Sequence, residues 1–456
     1  MRTAIHRFLL SLALATVAAG TTPLQAAGSA SPTLTLSADD VSALTKLSRG
    51  DAPALVRRSN LKRLPELHFH AIALQAGAQP LEDDPEGTLS KRHFLISDRG
   101  RQQVALAFEA DGRFAFGFLD DENGLQRLVA KPDGKAGLAL FPKAVEQVPV
   151  NCGTDELTTS PLQPLQLKLP ATLASTTAKG GVSGYQAKVA VEVDFPMMSG
   201  HFGNNTATAL SWLQELFLAT NLFYQRDLSL QLVMATPVIY NTSTDPYCTG
   251  ANPCPVLAQY LMFQFGDYWR NNRGGIDRDF ATLVSGRLSS GNPTGVSWID
   301  QYCQTGFDTT VGGVGTVTIG SYGVNLYVAG NGVSGGSAAE LFGHELGHQL
   351  GAYHNNCTDA DTGSSGLQPI DKCRTGGTAP PGGSCWSGAT SCPTSGAGLM
   401  MSSGCGDLVT CSLNRQREFH PVQIGILTSN IASHTPSCLS TAILPNVDTL
   451  YYDGFE

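Results

Sequence analysis

The 456-residue sequence lacks an excess of positive charge. Its 29 Lys and Arg residues are outnumbered by 38 Asp and Glu residues, which gives a formal net charge of −9. Proteins that bind nucleic acids need a basic surface to meet the phosphates. The composition therefore argues against a nucleic-acid partner.

The sequence also lacks, after its start, any apolar run of the roughly 20 residues that a membrane-spanning helix requires. The first apolar run, residues 8–19, follows Arg2 and Arg7 and precedes a stretch of small residues. This order is typical of a secretory signal peptide, and the run is too short for a membrane anchor. We therefore predict a signal peptide over residues 1–26, no membrane span, and a secreted protein that is periplasmic only in transit.

Cysteine is absent from the first 151 residues, although the chain contains 11. Disulfides persist in oxidising compartments, so this number suits an exported protein. The segment 357–411 is rich in Cys, Gly, Ser, Thr and Pro, and cross-links there would replace a hydrophobic core. Because the total is odd, the cysteines cannot all pair within the chain. They are Cys152, Cys248, Cys254, Cys303, Cys357, Cys373, Cys385, Cys392, Cys405, Cys411 and Cys438.

The Cys-free part of the chain, residues 27–151, consists of short apolar runs separated by turn signals. Asp-Gly or Asn-Gly dipeptides at 111–112, 123–124 and 133–134 favour tight β-hairpin turns. Ser37 precedes a short helix-like segment as its N-cap. These features predict a β-rich N-terminal domain of antiparallel hairpins.

Strand and helix patterns alternate after residue 184. "YQAKVAVEVDF" alternates like a strand, and "NNTATALSWLQELFLATNLFYQRDL" has apolar residues at helical spacing. We predict an α/β (α+β) catalytic domain over residues 185–439, followed by a C-terminal tail over residues 440–456. The strand "GVNLYVAG" at 323–330 is the predicted edge strand with which an extended substrate pairs.

Histidine is concentrated in "FGHELGHQLGAYHNNC", residues 342–357. A capping-box pattern that starts at Ser337 predicts that a helix begins there. On that helix, His344 and His348 lie one turn apart on one face. Gly351 is suited to end the helix, because glycine accepts left-handed backbone angles. A turn at that point would bring His354 towards the same ion.

Three neutral imidazoles leave one open position on a tetrahedral zinc ion. Zinc lowers the pKa of water in that position to about 7. Glu345 flanks the histidines and is placed to take a proton from this water and pass it to a leaving amine. We predict one catalytic Zn²⁺ held by His344, His348 and His354, with Glu345 as the general base.

These residues carry a family resemblance. "HELGHQLGAYH" resembles the extended zinc motif of the metzincin metalloproteases, and "GLMMSSGCG" at 398–406 resembles their methionine turn, with Met401 in the key position. Residues 185–439 resemble secreted bacterial peptidases of the reprolysin-like (adamalysin/ADAM-type) group. The resemblance implies a mixed twisted sheet, an active-site helix, a smaller C-terminal subdomain, and protein or peptide substrates.

The sequence departs from that family at two positions. Asn355 follows the third histidine, where adamalysins usually have an aspartate. Ser403 stands where some metzincins have a tyrosine that assists the oxyanion, so we assign Ser403 no such role.

Cys152 lies between the β-rich region and the catalytic domain. Cys152-Gly153 resembles the cysteine-switch segments of matrix metalloprotease and ADAM propeptides, in which a thiolate occupies the open zinc position. This interpretation leaves ten cysteines, enough for five disulfides. The alternative is a structural Cys152 with a different cysteine left over. We predict that residues 27–184 form a propeptide that inhibits its own protease through Cys152.

Two acidic residues of the first catalytic strand, Glu192 and Asp194, lie where some reprolysins bind structural Ca²⁺. We expect a solvated strand face there and leave calcium open.

The predicted function is a secreted, monomeric zinc endopeptidase made as a latent precursor. Two alternatives stay open. One is a catalytically idle adhesin or toxin-like binding module on a metzincin scaffold, which would not need Glu345. The other is a zinc hydrolase of non-protein amides, which only substrate profiling would distinguish.

Overall fold

Antiparallel hairpins form an eight-stranded sheet from the first part of the chain in a computed structural model of the protein. The spatial order is β1-β8-β7-β6-β5-β4-β3-β2. Its strands are β1 (Leu34–Leu36), β2 (Ala54–Val56), β3 (Leu67–Ile72), β4 (His93–Ser97), β5 (Gln103–Phe108), β6 (Phe114–Asp121), β7 (Gly124–Pro132) and β8 (Leu138–Ala144).

The structure describes residues 33–56, 66–75, 91–100, 102–132, 137–145, 150, 152–154, 182–249, 258–287, 294–311, 315–327, 333–361, 367–405, 411, 416–435 and 437–445. All of these lie in one compact unit, Pro32–Glu456. The predicted signal peptide, the 133–134 turn and the end of the predicted tail lie outside the described residues.

Turn chemistry in the N-terminal sheet agrees with the sequence. Gly112 and Gly124 have φ values of 83° and 81°, the left-handed region that glycine adopts at no steric cost. Helix α1 (Ala38–Thr45) is capped by Ser37, whose side chain accepts a hydrogen bond from the Asp40 amide. The hairpin turns predicted at 111–112 and 123–124 and the predicted cap are therefore confirmed.

The second sheet is mixed and has seven strands, with the core order β10-β9-β12-β16-β13 and with β11 and β19 also paired to β9. Neighbouring strands are parallel except at the β13–β16 and β19–β9 pairs. The strands are β9 (Val182–Val193), β10 (Leu230–Met234), β11 (Val238–Ile239), β12 (Phe280–Ser285), β13 (Gly295–Ser297), β16 (Tyr322–Leu326) and β19 (Ser440–Leu444). Two small hairpins pair β14 (Phe307–Val311) with β15 (Gly315–Ile319) and β17 (Asp359–Asp361) with β18 (Leu367–Pro369).

Helices cover both faces of this sheet. The helices after α1 are α2 (Phe195–His201), α3 (Thr206–Leu228), α4 (Ala258–Asn272), α5 (Gly335–Gln349) and α6 (Pro421–Ser433). Val189 and Val191 of β9 belong to the core that includes α3 and α5, whereas Ala190 belongs to the core under α4. The mixed α/β architecture therefore agrees with the predicted fold class. None of the described helices is long and apolar enough to cross a lipid bilayer.

The N-terminal sheet packs on α3 and on the start of α5. The Phe118 ring lies so close to Gly336 that a Cβ there would be 2.4 Å from it. Two ion pairs cross the same contact: Arg226 with Asp120 at 2.6 Å and Arg127 with Glu215 at 2.6 Å. The first part of the chain is thus docked against the helix that carries the histidine motif.

Two predictions about the second sheet were wrong. The strand expected to be a free edge, β16, lies between β12 and β13, so the short strand β13 forms that end of the core order. Glu192 and Asp194 are fully buried rather than on a solvated face, because α4 and the segments near Asp245 and Arg287 cover them. The sheet also extends past residue 439, since β19 uses the first residues of the predicted tail.

Candidate metal centre

Helix α5 places the first two histidines of the motif. It begins after an N-cap at Ser334, whose side chain accepts a hydrogen bond from the Ser337 amide. The helix therefore starts before Ser337, and the predicted start was three residues late. Leu350 is the C-cap, and Gly351 follows with a φ of 104°. This left-handed turn reverses the chain after the helix.

The reversal brings the third histidine back to the first two. The Nε2 atoms of His344 and His348 are 3.1 Å apart, and His354 Nε2 lies 3.2 Å from the first and 3.1 Å from the second. All three side chains are buried. Three imidazoles predicted from sequence to share one ion are thus placed together.

Backbone carbonyls orient two of the rings. Nδ1 of His344 donates to the Met400 carbonyl at 2.7 Å, and Nδ1 of His348 donates to the Ala352 carbonyl at 2.7 Å. A carbonyl can only accept, so the proton lies on Nδ1 and the Nε2 lone pair faces the centre. Such contacts fix the tautomer that a metal requires.

The donor set fits zinc. Tetrahedral zinc with Zn–N bonds of 2.0–2.1 Å would separate ligand nitrogens by about 3.3 Å, close to the observed spacing. The sulfur of Cys152 is 3.4 Å from His348 Nε2. The four ligand atoms all lie within 4.8 Å of one another. These residues could therefore hold a metal with three nitrogens and one sulfur.

Glu345 lies on the same helix, between the first two histidines, and is buried. Its carboxylate packs on the backbone of β13, where a Cβ at Gly295 would be 2.1 Å from Oε1. Burial raises the pKa of Tyr224 and of Tyr327 well above the usual value, and the negative charge of Glu345 raises both further. The Glu345 carboxylate thus lies between the histidines and β13, the strand at one end of the core order.

The methionine turn lies under the histidines. Met401 is buried, and a Cβ at Gly347 of α5 would be 2.7 Å from its sulfur. The Met401 carbonyl accepts from the Asn355 amide at 3.0 Å. Met400 contributes through its carbonyl, which holds His344.

Residues 152–154 lie along β13 like an added strand. Cys152 forms a parallel bridge with Gly295, and the Gly153 amide donates to the Gly295 carbonyl at 2.8 Å. The Thr154 hydroxyl contacts both the carbonyl and the amide of Ser297 at 3.1 Å. This segment thus places the Cys152 sulfur against the three histidines.

A family model of the reprolysin type, described as metallo-peptidase family M12, matches residues 184–413. The chain belongs to metallo-peptidase family M12. No curated protein matches the sequence. Members of this family generally use zinc, and membership implies zinc-dependent proteolysis of protein substrates. The match includes all three histidines, Glu345 and Met401.

Four disulfides stabilise the M12 peptidase domain in the described residues: Cys303–Cys438, Cys357–Cys385, Cys373–Cys405 and Cys392–Cys411. Cys248 is disulfide-bonded as well, and Cys254 lies outside the described residues. Cys152 stands apart from these bonds, because its sulfur lies beside His348 and 3.1 Å from the Thr154 hydroxyl.

The buried acids at the end of β9, Glu192 within the strand and Asp194 directly after it, do not fit a calcium site. Asp194 accepts hydrogen bonds from Ser285 and from Arg287, both at 2.5 Å. Glu192 accepts from the Tyr247 hydroxyl and from the Trp269 indole. These carboxylate oxygens already accept hydrogen bonds from protein donors, one of which is the positively charged Arg287. A calcium ion would have to displace those donors.

Sequence analysis missed two residues around the metal centre of the peptidase, Asp371 and Arg374. Asp371 accepts a 2.6 Å hydrogen bond from Ser402, which also accepts from Asn355 at 3.0 Å. Arg374 Nη1 donates to the Cys152 carbonyl at 3.1 Å, and the Cys152 amide donates to Ser403 Oγ at 3.3 Å. No local pattern marks these residues, because disulfide-bonded loops bring them to the site.

Proposed function

We propose that this M12 protein is a secreted zinc endopeptidase made as a latent precursor. The carrying observation is the buried trio of His344, His348 and His354, whose Nε2 atoms are 3.1–3.2 Å apart. An amphipathic helix with ordinary core histidines would not direct three such nitrogens at one point. Protein and peptide chains are the substrates, and the enzyme acts as a monomer.

Bound by these histidines, zinc would lower the pKa of a water and polarise a substrate carbonyl. The chain supplies the proton transfers. A carboxylate oxygen of Glu345 takes the proton of the attacking water and then delivers it to the amide nitrogen that leaves. The contact with Gly295 holds this carboxylate beside the terminal strand, along which an extended substrate would lie.

Residues 27–184 act as an inhibitory propeptide in this proposal. The Cys152 sulfur would be the fourth ligand of a metal held by the three histidines, and residues 152–154 take the backbone positions on β13 that a substrate needs. At the opposite end of the core order, the Met234 amide of β10 donates to the Leu74 carbonyl at 2.7 Å. Segments from the first 154 residues thus cover both end strands.

Secretion through the signal peptide at residues 1–26 belongs to the same proposal. It is supported by the disulfides in the described residues, since such bonds persist in oxidising compartments. N-terminal sequencing of protein recovered from culture medium would locate the cleavage point.

The decisive experiment compares the wild type with Glu345→Ala after processing of the full-length precursor. Casein hydrolysis should fall at least a hundredfold in the variant, in the range typical of loss of a general base, while zinc content stays at one ion per chain. Chelation should silence the wild type, and zinc should restore it. Equal turnover by Glu345→Ala would remove the glutamate from its role. A wild type that hydrolyses small amides but no protein would favour the zinc hydrolase of non-protein amides. A wild type that hydrolyses neither would favour the catalytically idle binding module.

A further inference from the structure

Two side chains of the Cys-rich loops bind the main chain of Cys152 from the side opposite β13. Arg374 Nη1 donates to the Cys152 carbonyl at 3.1 Å, and Ser403 Oγ accepts from the Cys152 amide at 3.3 Å. Arg374 Nη1 also donates a hydrogen bond to Ser403 Oγ at 3.3 Å. Both polar groups of one residue's backbone are therefore recognised by this arginine–serine pair.

Covalent and hydrogen-bonded links fix the pair. The disulfide Cys373–Cys405 joins the residue before Arg374 to a residue two positions after Ser403. Ser402 donates to Asp371 at 2.6 Å, which is a second link between the same two segments. The pair is thus pre-organised, so little conformational entropy is lost when a ligand binds.

The arginine–serine pair and Gly295 of β13 bind backbone groups of residues 152 and 153. On the β13 side, Gly153 donates to the Gly295 carbonyl. On the loop side, the contacts to Cys152 go to its amide and carbonyl. Such contacts are available from any extended polypeptide, whatever its sequence. The side-chain contacts specific to the inhibitory segment include the Cys152 sulfur beside His348 and the Thr154 hydroxyl on the Ser297 backbone.

We propose that Arg374 and Ser403 form the second wall of the substrate cleft and bind the main chain of a substrate residue next to the cleaved bond. This inference rests on the proposed function. In the precursor the pair holds the inhibitory segment, and in the processed enzyme it holds the substrate. Arginine remains charged at all relevant pH values, and a charged hydrogen bond is stronger than a neutral one.

Because the pair holds the inhibitory segment in the precursor and the substrate in the processed enzyme, its loss should have opposite effects on the two forms. Loss of Arg374 should loosen Cys152 in the precursor and weaken substrate binding in the processed enzyme. A merely structural residue would damage both forms alike. Because the contact is made to an ordinary peptide carbonyl, in the ground state as well as in the transition state, the kinetic effect should fall on KM rather than on kcat.

The test uses Arg374→Ala, Arg374→Lys and Ser403→Ala, with Arg270→Ala as the control, since Arg270 pairs with Asp308 on the α4 side. In the full-length precursor with zinc, the rate at which a thiol reagent labels Cys152 should rise about tenfold in Arg374→Ala. In enzyme released from the folded precursor by limited digestion, KM for a casein-derived peptide should rise roughly 10- to 100-fold. Arg374→Lys should recover part of both effects, and Ser403→Ala should show smaller changes of the same signs.

Binding is also measured without turnover. A fluorescent peptide with the sequence of residues 150–156 is titrated into processed Glu345→Ala enzyme with and without Arg374→Ala, with zinc removed. Weaker binding of the peptide with Arg374→Ala supports the role proposed for the arginine–serine pair. Unchanged peptide binding together with an unchanged KM overturns it. If Arg374→Ala does not fold, Arg374→Lys and Ser403→Ala decide in its place. A wild type that binds the peptide but cleaves no protein would refute the proposed function and leave only the binding of the inhibitory segment by the arginine–serine pair.

Discussion

The Glu345 carboxylate is in contact with the bare backbone of Gly295, so a Cβ on Gly295 would lie only 2.1 Å from Oε1. We therefore expect Gly295→Ala to displace the carboxylate from the cleft. Hydrolysis of casein by the processed enzyme should fall on the order of a hundredfold, in line with loss of a general base. Zinc content should not change, because the substitution does not touch the histidines.

Gly274→Ala is the matched control, since no atom lies within 4 Å of a Cβ built there. Its kcat/KM should stay within twofold of the wild type. If Gly295→Ala were equally harmless, the carboxylate position would not depend on this contact.

Latency should depend on the Cys152 sulfur. In the zinc-loaded precursor we expect Cys152 to resist thiol reagents, because the sulfur lies within 3.4 Å of His348 Nε2 in a buried donor set. Chelation should raise its labelling rate. Cys152→Ala should give hydrolysis in the uncleaved precursor, and Cys152→Ala with Glu345→Ala should stay silent. A Cys152→Ala precursor as inactive as the wild type would end the switch interpretation.

Local signals in the sequence predicted the helix that carries the histidines and the turn that ends it. The spacing of His344 and His348 and the position of Gly351 are properties of one short segment. The start of the helix was misplaced because Ser334 and Ser337 both suit an N-cap. Contact with α3 accompanies the earlier start at Ser334. Gly335 of α5 packs so closely on α3 that a Cβ there would be 2.6 Å from the Leu216 amide.

Long-range contacts account for the other differences. β13 is only three residues long, too short to stand out as a strand, so β16 was taken as the edge. The alternation of β9 suggested a solvated face, but Tyr247, Trp269 and Arg287 reach Glu192 and Asp194 from distant segments. Arg374 reaches Cys152 across 222 residues. Sequence periodicity contains no information about such partners.

Stability should depend on the charge of Glu192. Burial raises its pKa from 4.5 to about 7, although hydrogen bonds from Tyr247 and Trp269 lower it. Because its pKa is raised in the folded state, the contribution of protonated Glu192 to stability is fully present below pH 4.5 and is lost as pH rises through about 7. The corresponding free energy is on the order of 3 kcal/mol.

Glu192→Gln removes this titration and keeps the size of the side chain. We expect the variant to be more stable than the wild type at pH 8 and to gain nothing at pH 4. Urea unfolding in the inactive Glu345→Ala background measures both. Asp277→Asn is the control, because the Asp277 carboxylate is 80% exposed. Parallel curves for wild type and Glu192→Gln across this pH range would contradict the assignment.

Asp371 places a carboxylate on the same hydroxyl, that of Ser402, as Asn355, the residue that follows the third histidine. Ser402 of the methionine turn donates to Asp371 at 2.6 Å and accepts from Asn355 at 3.0 Å. Asp371→Asn should therefore weaken the support under the zinc site. We expect about tenfold lower zinc affinity, as for other groups that orient ligands, measured by competition with a chromophoric chelator.

An exchange of the two residues tests whether Asp371 takes the place of the aspartate that adamalysins usually have at position 355. Asn355→Asp alone places a second buried carboxylate on Ser402, and the like charges should destabilise the protein. Adding Asp371→Asn restores one carboxylate and one amide around the same hydroxyl, so zinc affinity in the double variant should recover to within about threefold of the wild type. Additive losses in the double variant would mean that Asn355 and Asp371 act independently. The methionine turn would then owe its position to other contacts, such as the Cys373–Cys405 disulfide and the Met401–Asn355 and Met400–Glu418 backbone hydrogen bonds.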